Sequence, residues 1–203
     1  MKASAGAPIA ALAFIAVLQN VDLIVVRHHV GDEAAGAYAA AAVAAKVVVW
    51  TAVGVGLYLI PGAATRAAHG LDPRPVLLRA LAVVAAVAAP ALALMAVAPA
   101  TVLRLGFGAE YELGDAALPQ LAAAMTTLAF TYLAVNFLLA VGSHRFLVPL
   151  GLVALAEPLL LALPTYDHIG RFAAVVLALQ GVAAGAVLVP SLRRAAAPVP
   201  ASA

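Results

Sequence analysis

Six long apolar runs, separated by short polar clusters, set the rhythm of the chain. They cover residues 8–30, 37–64, 76–103, 116–141, 146–166 and 171–190. A bilayer's hydrocarbon core is about 30 Å thick, which a helix rising 1.5 Å per residue crosses in about 20 residues. Each run is long enough, so the pattern predicts an all-α, polytopic membrane protein with six transmembrane helices in one bundle, residues 1–190. The polar clusters mark the turns: Gly31 to Gly36, Arg66 to Pro75, Arg104 to Asp115, Gly142 to Arg145, and Asp167 to Gly170. Pro90 and Pro99 fall inside the third run and predict kinks there. The alanine- and proline-rich tail, residues 191–203, is expected to be disordered and cytoplasmic.

The first run follows Lys2, as a secretory leader would. It continues through Gln19, Asn20 and Asp22 to Val30, however, beyond the core of about 7–15 residues that a cleavable leader carries. It is therefore read as a retained first helix.

Composition strengthens the membrane reading. Of 203 residues, 66% are hydrophobic and 10% charged, and mean hydropathy is +1.10. An ordinary soluble domain is about half apolar and a quarter charged. The polar loops, roughly ten residues at most, leave no room for a separate soluble domain. A net charge of +2 without a basic, aromatic-studded face gives no nucleic-acid partner. Absence of cysteine removes disulfides, thiolate metal sites and a cysteine nucleophile. No Gly-x-x-x-x-Gly-Lys, His-Glu-x-x-His or Gly-x-Ser-x-Gly occurs, and His28 and His29, adjacent, do not share a helical face. No enzyme activity, cofactor or metal is expected.

Lysine and arginine are distributed unevenly between alternate loops. One side carries Lys2, Arg66, Arg74, Arg79, Arg145, Arg193 and Arg194, and the other Arg27, Arg104 and Arg171. The positive-inside rule then places both termini in the cytoplasm. The arginine-, alanine- and valine-rich composition suggests a bacterial source, hence the cytoplasmic (inner) membrane.

Charges inside the runs are the candidate chemistry, because an ionisable group in lipid is a functional hypothesis by default. Asp22 lies nine positions before Gly31, and Lys46 ten after Gly36. On antiparallel neighbours these acid and base would sit at matching depth, roughly 13 to 15 Å below the outer turn, and form a pair. The pair either fixes the hairpin or lines a water-filled path. Glu157 is followed by Pro158, whose missing N–H frees a carbonyl near the acid, an arrangement that suits a proton or cation site or a structural kink. Asn20 and Asn136 are expected to bond between helices. Arg27 ends the first helix outside, near phosphate. Small residues, Ala39 to Ala45 with Gly54 and Gly56, and Gly181 to Gly185, either bring helices close or merely follow the alanine-rich composition.

One resemblance spans nearly the whole chain. Asn20-Val-Asp22, then Gly31, Gly36, Tyr38 and Pro61, resembles the "D-x-x-x-v-x-x-x-x-G-x-x-x-x-G-x-Y-x-x-A … P" opening of polysaccharide-export flippases, within the multidrug/oligosaccharidyl-lipid/polysaccharide exporter superfamily. Phe107-Gly108-Ala-Glu-Tyr111 looks like that family's entry into its next helix, and Asn136 with Ala140-Val-Gly142-Ser-His-Arg145 is similar to its "N-x-x-L-x-a-x-G-r" turn. Such proteins usually carry twelve to fourteen helices in two bundles; six resemble one half, more like the C-terminal one. The resemblance implies flipping of a lipid-linked oligosaccharide or polysaccharide precursor together with a second six-helix half or in a homodimer. Arg27, Lys46 and Arg145 would then be cationic steps for a diphosphate. The competing expectations are a cation-coupled drug or small-molecule exporter using Asp22 and Glu157, and a non-transporting scaffold or truncated half.

Overall fold

The computed structural model describes residues 6–163, 166 and 168–193. Lys2, Asp167, Arg194 and the tail beyond Arg193 therefore lie outside the described residues. The described chain is helical, with no strand. Its α-helices are α1 (Gly6–Val26), α2 (Asp32–Ala45), α3 (Val47–Ala68), α4 (Arg74–Val97), α5 (Pro99–Gly106), α6 (Leu118–Ala140), α7 (Leu147–Leu161) and α8 (Ile169–Arg193), with a 3-10 helix at Ala109–Ala116. Five stretches are long and apolar enough to cross a membrane: α1, α2 and α3 as one 37-residue run, α4, α6 and α8. The 15-residue α7 is apolar but shorter, about 22 Å at helical rise.

α6 is the axis of the bundle. It packs against α8, α3, α4, α2 and α1, and Leu121, Met125, Leu128, Leu133 and Phe137 are fully enclosed. α1 packs mainly on α7, and α7 also on α8. The buried residues of α1 are Ala11, Ile15, Leu18, Asp22 and Val26, a single stripe at helical spacing. Asp22 therefore points into the core because it is in register with four apolar neighbours. Large apolar side chains such as Ile9, Ile24, Leu57, Leu152 and Leu159 point outward. Lipid tails are as apolar as leucine, so burial of apolar area does not drive this packing; close van der Waals fit and internal hydrogen bonds do.

Several expected boundaries are corrected. The first turn lies earlier than Gly31 to Gly36: α1 ends at Val26 rather than Val30, α2 begins at Asp32 and includes Gly36, and residues 27–31 make the turn. Asp32 and Glu33 in its first turn favour that start through the helix dipole. The second run is interrupted at Lys46, whose φ −67° and ψ −11° end α2 and start α3. Pro90 sits within α4, whereas the third run breaks at Ala98 (φ −136°, ψ 53°). A residue before proline is pushed out of the helical region, and Pro99 is suited to the first position of α5. The acidic loop from Arg104 to Asp115 is largely ordered as α5's last turn and the 3-10 helix, and the last run extends through Ser191 to Arg193.

Only some of the small residues mediate close approach. A Cβ on Gly56 would lie 3.1 Å from the Tyr132 ring on α6, but around Gly54, Gly181 and Gly185 nothing lies within 4 Å. Composition accounts for those three.

Candidate functional site

The expected Asp22–Lys46 ion pair does not form. The ion pairs present among the described residues are Arg27–Asp32, Arg74–Asp72 and Arg104–Glu112. The two intramembrane charges instead belong to two different groups, one inside the bundle and one on its flank.

The inner group is built from four helices. Asp22 of α1, Tyr38 of α2, Glu157 of α7 and Gln180 of α8 are each 0% exposed. The Tyr38 hydroxyl donates to Asp22 Oδ2 at 2.8 Å, and Gln180 Nε2 donates to the Leu18 carbonyl, one turn before Asp22, at 2.7 Å. Asp22 and Glu157 act on each other electrostatically, and Glu157 also acts on the Tyr38 hydroxyl. Asp22 Oδ1, both Glu157 carboxyl oxygens and Gln180 Oε1 have no hydrogen-bond partner. Among the described residues one other buried side-chain atom shares that condition, Gln120 Oε1. Four acceptor oxygens without donors, in an enclosed apolar bundle, make a set that a proton or a small hard cation would satisfy. No three of His, Cys, Asp or Glu gather among the described residues to hold a multivalent metal.

Aromatic rings close this group. Tyr38 meets Phe172 edge-on at 5.5 Å, Tyr166 meets Phe172 at 5.5 Å, and His29 meets Tyr166 at 5.6 Å. Edge-to-face contacts of this kind hold ring orientation, and so hold the Tyr38 hydroxyl on Asp22. The Pro158 ring removes the N–H that would bond the Ala154 carbonyl, a further free acceptor one turn from Glu157.

The flank group lies on α1 and the α2–α3 break. Lys46 Nζ donates to Asn20 Oδ1 at 3.0 Å, and Asn20 Nδ2 donates to the Ala16 carbonyl at 2.9 Å. Asn20 is exposed and Lys46 only partly buried. Asn20 is six residues, about 9 Å, from the C-terminal end of α1, so the pair lies within the length of this candidate span rather than at its end. Further along α3, Trp50 and Tyr58 are 68% and 83% exposed. In the α1–α2 turn Arg27 sits 3.7 Å from Asp32, both side chains largely exposed.

The remaining sequence candidates fall elsewhere. Asn136, on α6, donates to the Tyr132 carbonyl of its own helix at 2.8 Å and faces Gly56 of α3; its bond is within the helix, not between helices. Arg145 lies at the opposite end of the bundle, in a groove of α6, α7 and α8. In the α3–α4 loop, Asp72 takes both oxygens to Arg74 Nε at 3.0 Å and its backbone carbonyl to Arg66. The Arg74 guanidinium holds this carboxyl below its ordinary value. This is a loop clasp.

Tyr38 and Gln180 are the members of this buried group that charge-counting missed. Tyr38 stood in the quoted motif, sixteen residues from Asp22, without an assigned contact. Gln180 was legible as an amide in an otherwise apolar run, the kind of residue that needs a partner in lipid. Comparison with protein-family models, with curated proteins and with solved structures finds no match to this chain.

Proposed function

We propose that this chain is one six-span half of a two-bundle exporter that moves a phosphate-bearing, lipid-linked saccharide across a bacterial inner membrane, with α7 as the fifth span and both termini cytoplasmic. The observation that carries the reading is the Lys46–Asn20 pair on the bundle's flank. An ammonium group within the span and partly exposed is costly against lipid, and is accommodated where a second bundle or a polar cleft covers it. The motif resemblance at Asp22, Gly36 and Tyr38 supplies the class of cargo.

Lys46 donates to a neutral amide and makes no ion pair with Asp22, which acts on it only at longer range, so the ammonium is left open to a phosphate oxygen. Asn20 positions it. Arg27 extends the cationic path toward the outer end, and Trp50 and Tyr58 offer ring faces toward the other end. The cargo's lipid tail stays in the bilayer while its head crosses between the bundles, which alternate in opening to the two sides. Arg145, far from this flank, has no part in the path. In reconstituted vesicles, Lys46→Gln should slow flipping of a fluorescent lipid-linked saccharide at least about tenfold, the worth of one charge-assisted hydrogen bond. Lys46→Arg should retain most of it. An unchanged rate in Lys46→Gln removes Lys46 from the path, and a failure to crosslink to any second bundle removes the two-bundle architecture.

A second reading, cation-coupled export of small molecules, is favoured by the orphan oxygens of Asp22, Glu157 and Gln180. Replacing choline chloride by sodium chloride at constant ionic strength should then stabilise the purified protein against unfolding, by about 1.4 kcal/mol at ten times Kd. Glu157→Gln should abolish the shift. A midpoint indifferent to both sodium and pH would leave these acids without a coupling role.

A further inference from the structure

Arg145 and Arg193 open onto one groove of about 370 Å³, at the end of the bundle where α6 finishes, α7 begins and α8 finishes. Leu138 and Phe146 line it together with Pro149 and Pro190. Neither guanidinium has an ion pair or hydrogen bond to another described residue. Two like charges facing one cleft repel, and gain when an anion lies between them. We propose that this groove holds the phosphate of an anionic phospholipid, with an acyl chain lying along the apolar flank of α7 and α8.

Three observations argue for a lipid phosphate rather than general basicity. The cleft is walled by apolar side chains and prolines, which suit the glycerol and upper acyl carbons of a lipid and offer nothing to a free, fully hydrated ion. Ser143, itself 5% exposed, lines the same groove, and its hydroxyl is a donor suited to a phosphate oxygen. Pro190 lacks the N–H that would bond the Ala186 carbonyl, and both residues line the groove, so the helix leaves an acceptor there for the hydroxyls of a glycerol headgroup. Basic pockets between transmembrane helices on the cytoplasmic side have this ligand chemistry, and the uneven distribution of lysine and arginine puts this end of the bundle at the cytoplasmic leaflet. The inference does not depend on the saccharide reading, because none of these residues touches the Lys46 flank.

The groove at Arg79 provides the internal control, since it is lined by Val55, Tyr58, Leu59, Val76, Ala80 and Val83 and holds a single cation. Native mass spectrometry and nanodisc titration of the full chain with phosphatidylglycerol and phosphatidylcholine should show preferential retention of phosphatidylglycerol. At about fivefold per arginine, Arg145→Gln/Arg193→Gln should lower its retention about thirtyfold, while Arg79→Gln leaves it unchanged and Arg145→Lys/Arg193→Lys retains most of it. Equal retention of the two lipids, or an unchanged preference in the Arg145→Gln/Arg193→Gln variant, overturns the proposal. Displacement of phosphatidylglycerol by millimolar inorganic phosphate would assign the groove to a soluble anion and overturn it equally.

Discussion

Glu157→Leu should make the protein more stable. Glu157 is fully buried and both of its carboxyl oxygens lack a donor. A buried polar group without a hydrogen bond opposes folding by about 1–3 kcal/mol, and leucine fills a comparable volume without that penalty. Reversible unfolding in detergent micelles should therefore show a gain of about 1–3 kcal/mol. Tyr38→Phe should move the other way. Its hydroxyl is the side-chain donor on Asp22, and deleting it leaves a buried carboxylate with no side-chain donor, a loss of about 1–3 kcal/mol. The double replacement Asp22→Leu/Tyr38→Phe should return close to the parent, because both partners leave together. Destabilisation by Glu157→Leu of 1 kcal/mol or more would show that the acid has a stabilising partner in the folded bundle, and the orphan-oxygen description would fail.

The opposed signs bear on function. If Glu157→Leu stabilises the bundle, the acid opposes folding, and its place near Asp22 calls for a role other than packing. The Asp22–Tyr38 bond, by contrast, ties α1 to α2 and is part of the scaffold that positions Glu157. Replacing Glu157 separates these roles.

How far the sequence could be read follows from what each inference rested on. The apolar runs came from length and hydropathy, and five stretches of the structure are long and apolar enough to cross a membrane, because apolar length is a property of the local chain. The break at Ala98 was readable in principle from Pro99, whose ring acts on its neighbour; the interruption at Lys46 carries no such signal. The pairing of Asp22 with Lys46 failed for a geometric reason. With α1 ending at Val26 and α2 starting at Asp32, Asp22 lies four residues from the turn and Lys46 fourteen, so the depths do not match, and beyond depth the rotation of each helix decides the face. Asp22 follows the buried stripe Ala11, Ile15, Leu18 and Val26, whereas Asn20, two positions earlier, points to the flank where Lys46 reaches it. The contacts of Tyr38 and Gln180 depend on packing of four helices, which one-dimensional spacing does not contain.

Gly114→Ala should be the most damaging of the glycine replacements that leave backbone conformation alone. Gly114 lies in the 3-10 helix between α5 and α6, and a Cβ there would stand 2.5 Å from the Ala37 carbonyl oxygen of α2. The obstacle is backbone held in a helix, which cannot rotate aside as a side chain can. Either the 3-10 helix lifts off α2 or α2 shifts, and α2 carries Tyr38 one residue further on. Overpacking of this kind costs about 1–3 kcal/mol, and the displacement would also disturb the Tyr38–Asp22 bond. Gly151→Ala meets the Phe14 ring at 2.8 Å, but a ring can tilt, so its cost should be smaller. Gly54→Ala and Gly185→Ala, in helices with open space around them, should be neutral or stabilising by about 0.5–1 kcal/mol. Unfolding midpoints of the four variants under one detergent condition should thus order as Gly114→Ala lowest, Gly151→Ala next, and the other two at or above the parent. A Gly114→Ala protein as stable as the parent would mean that the 3-10 helix does not rest on α2, and that the Tyr38 end of the buried acid group is not braced from outside.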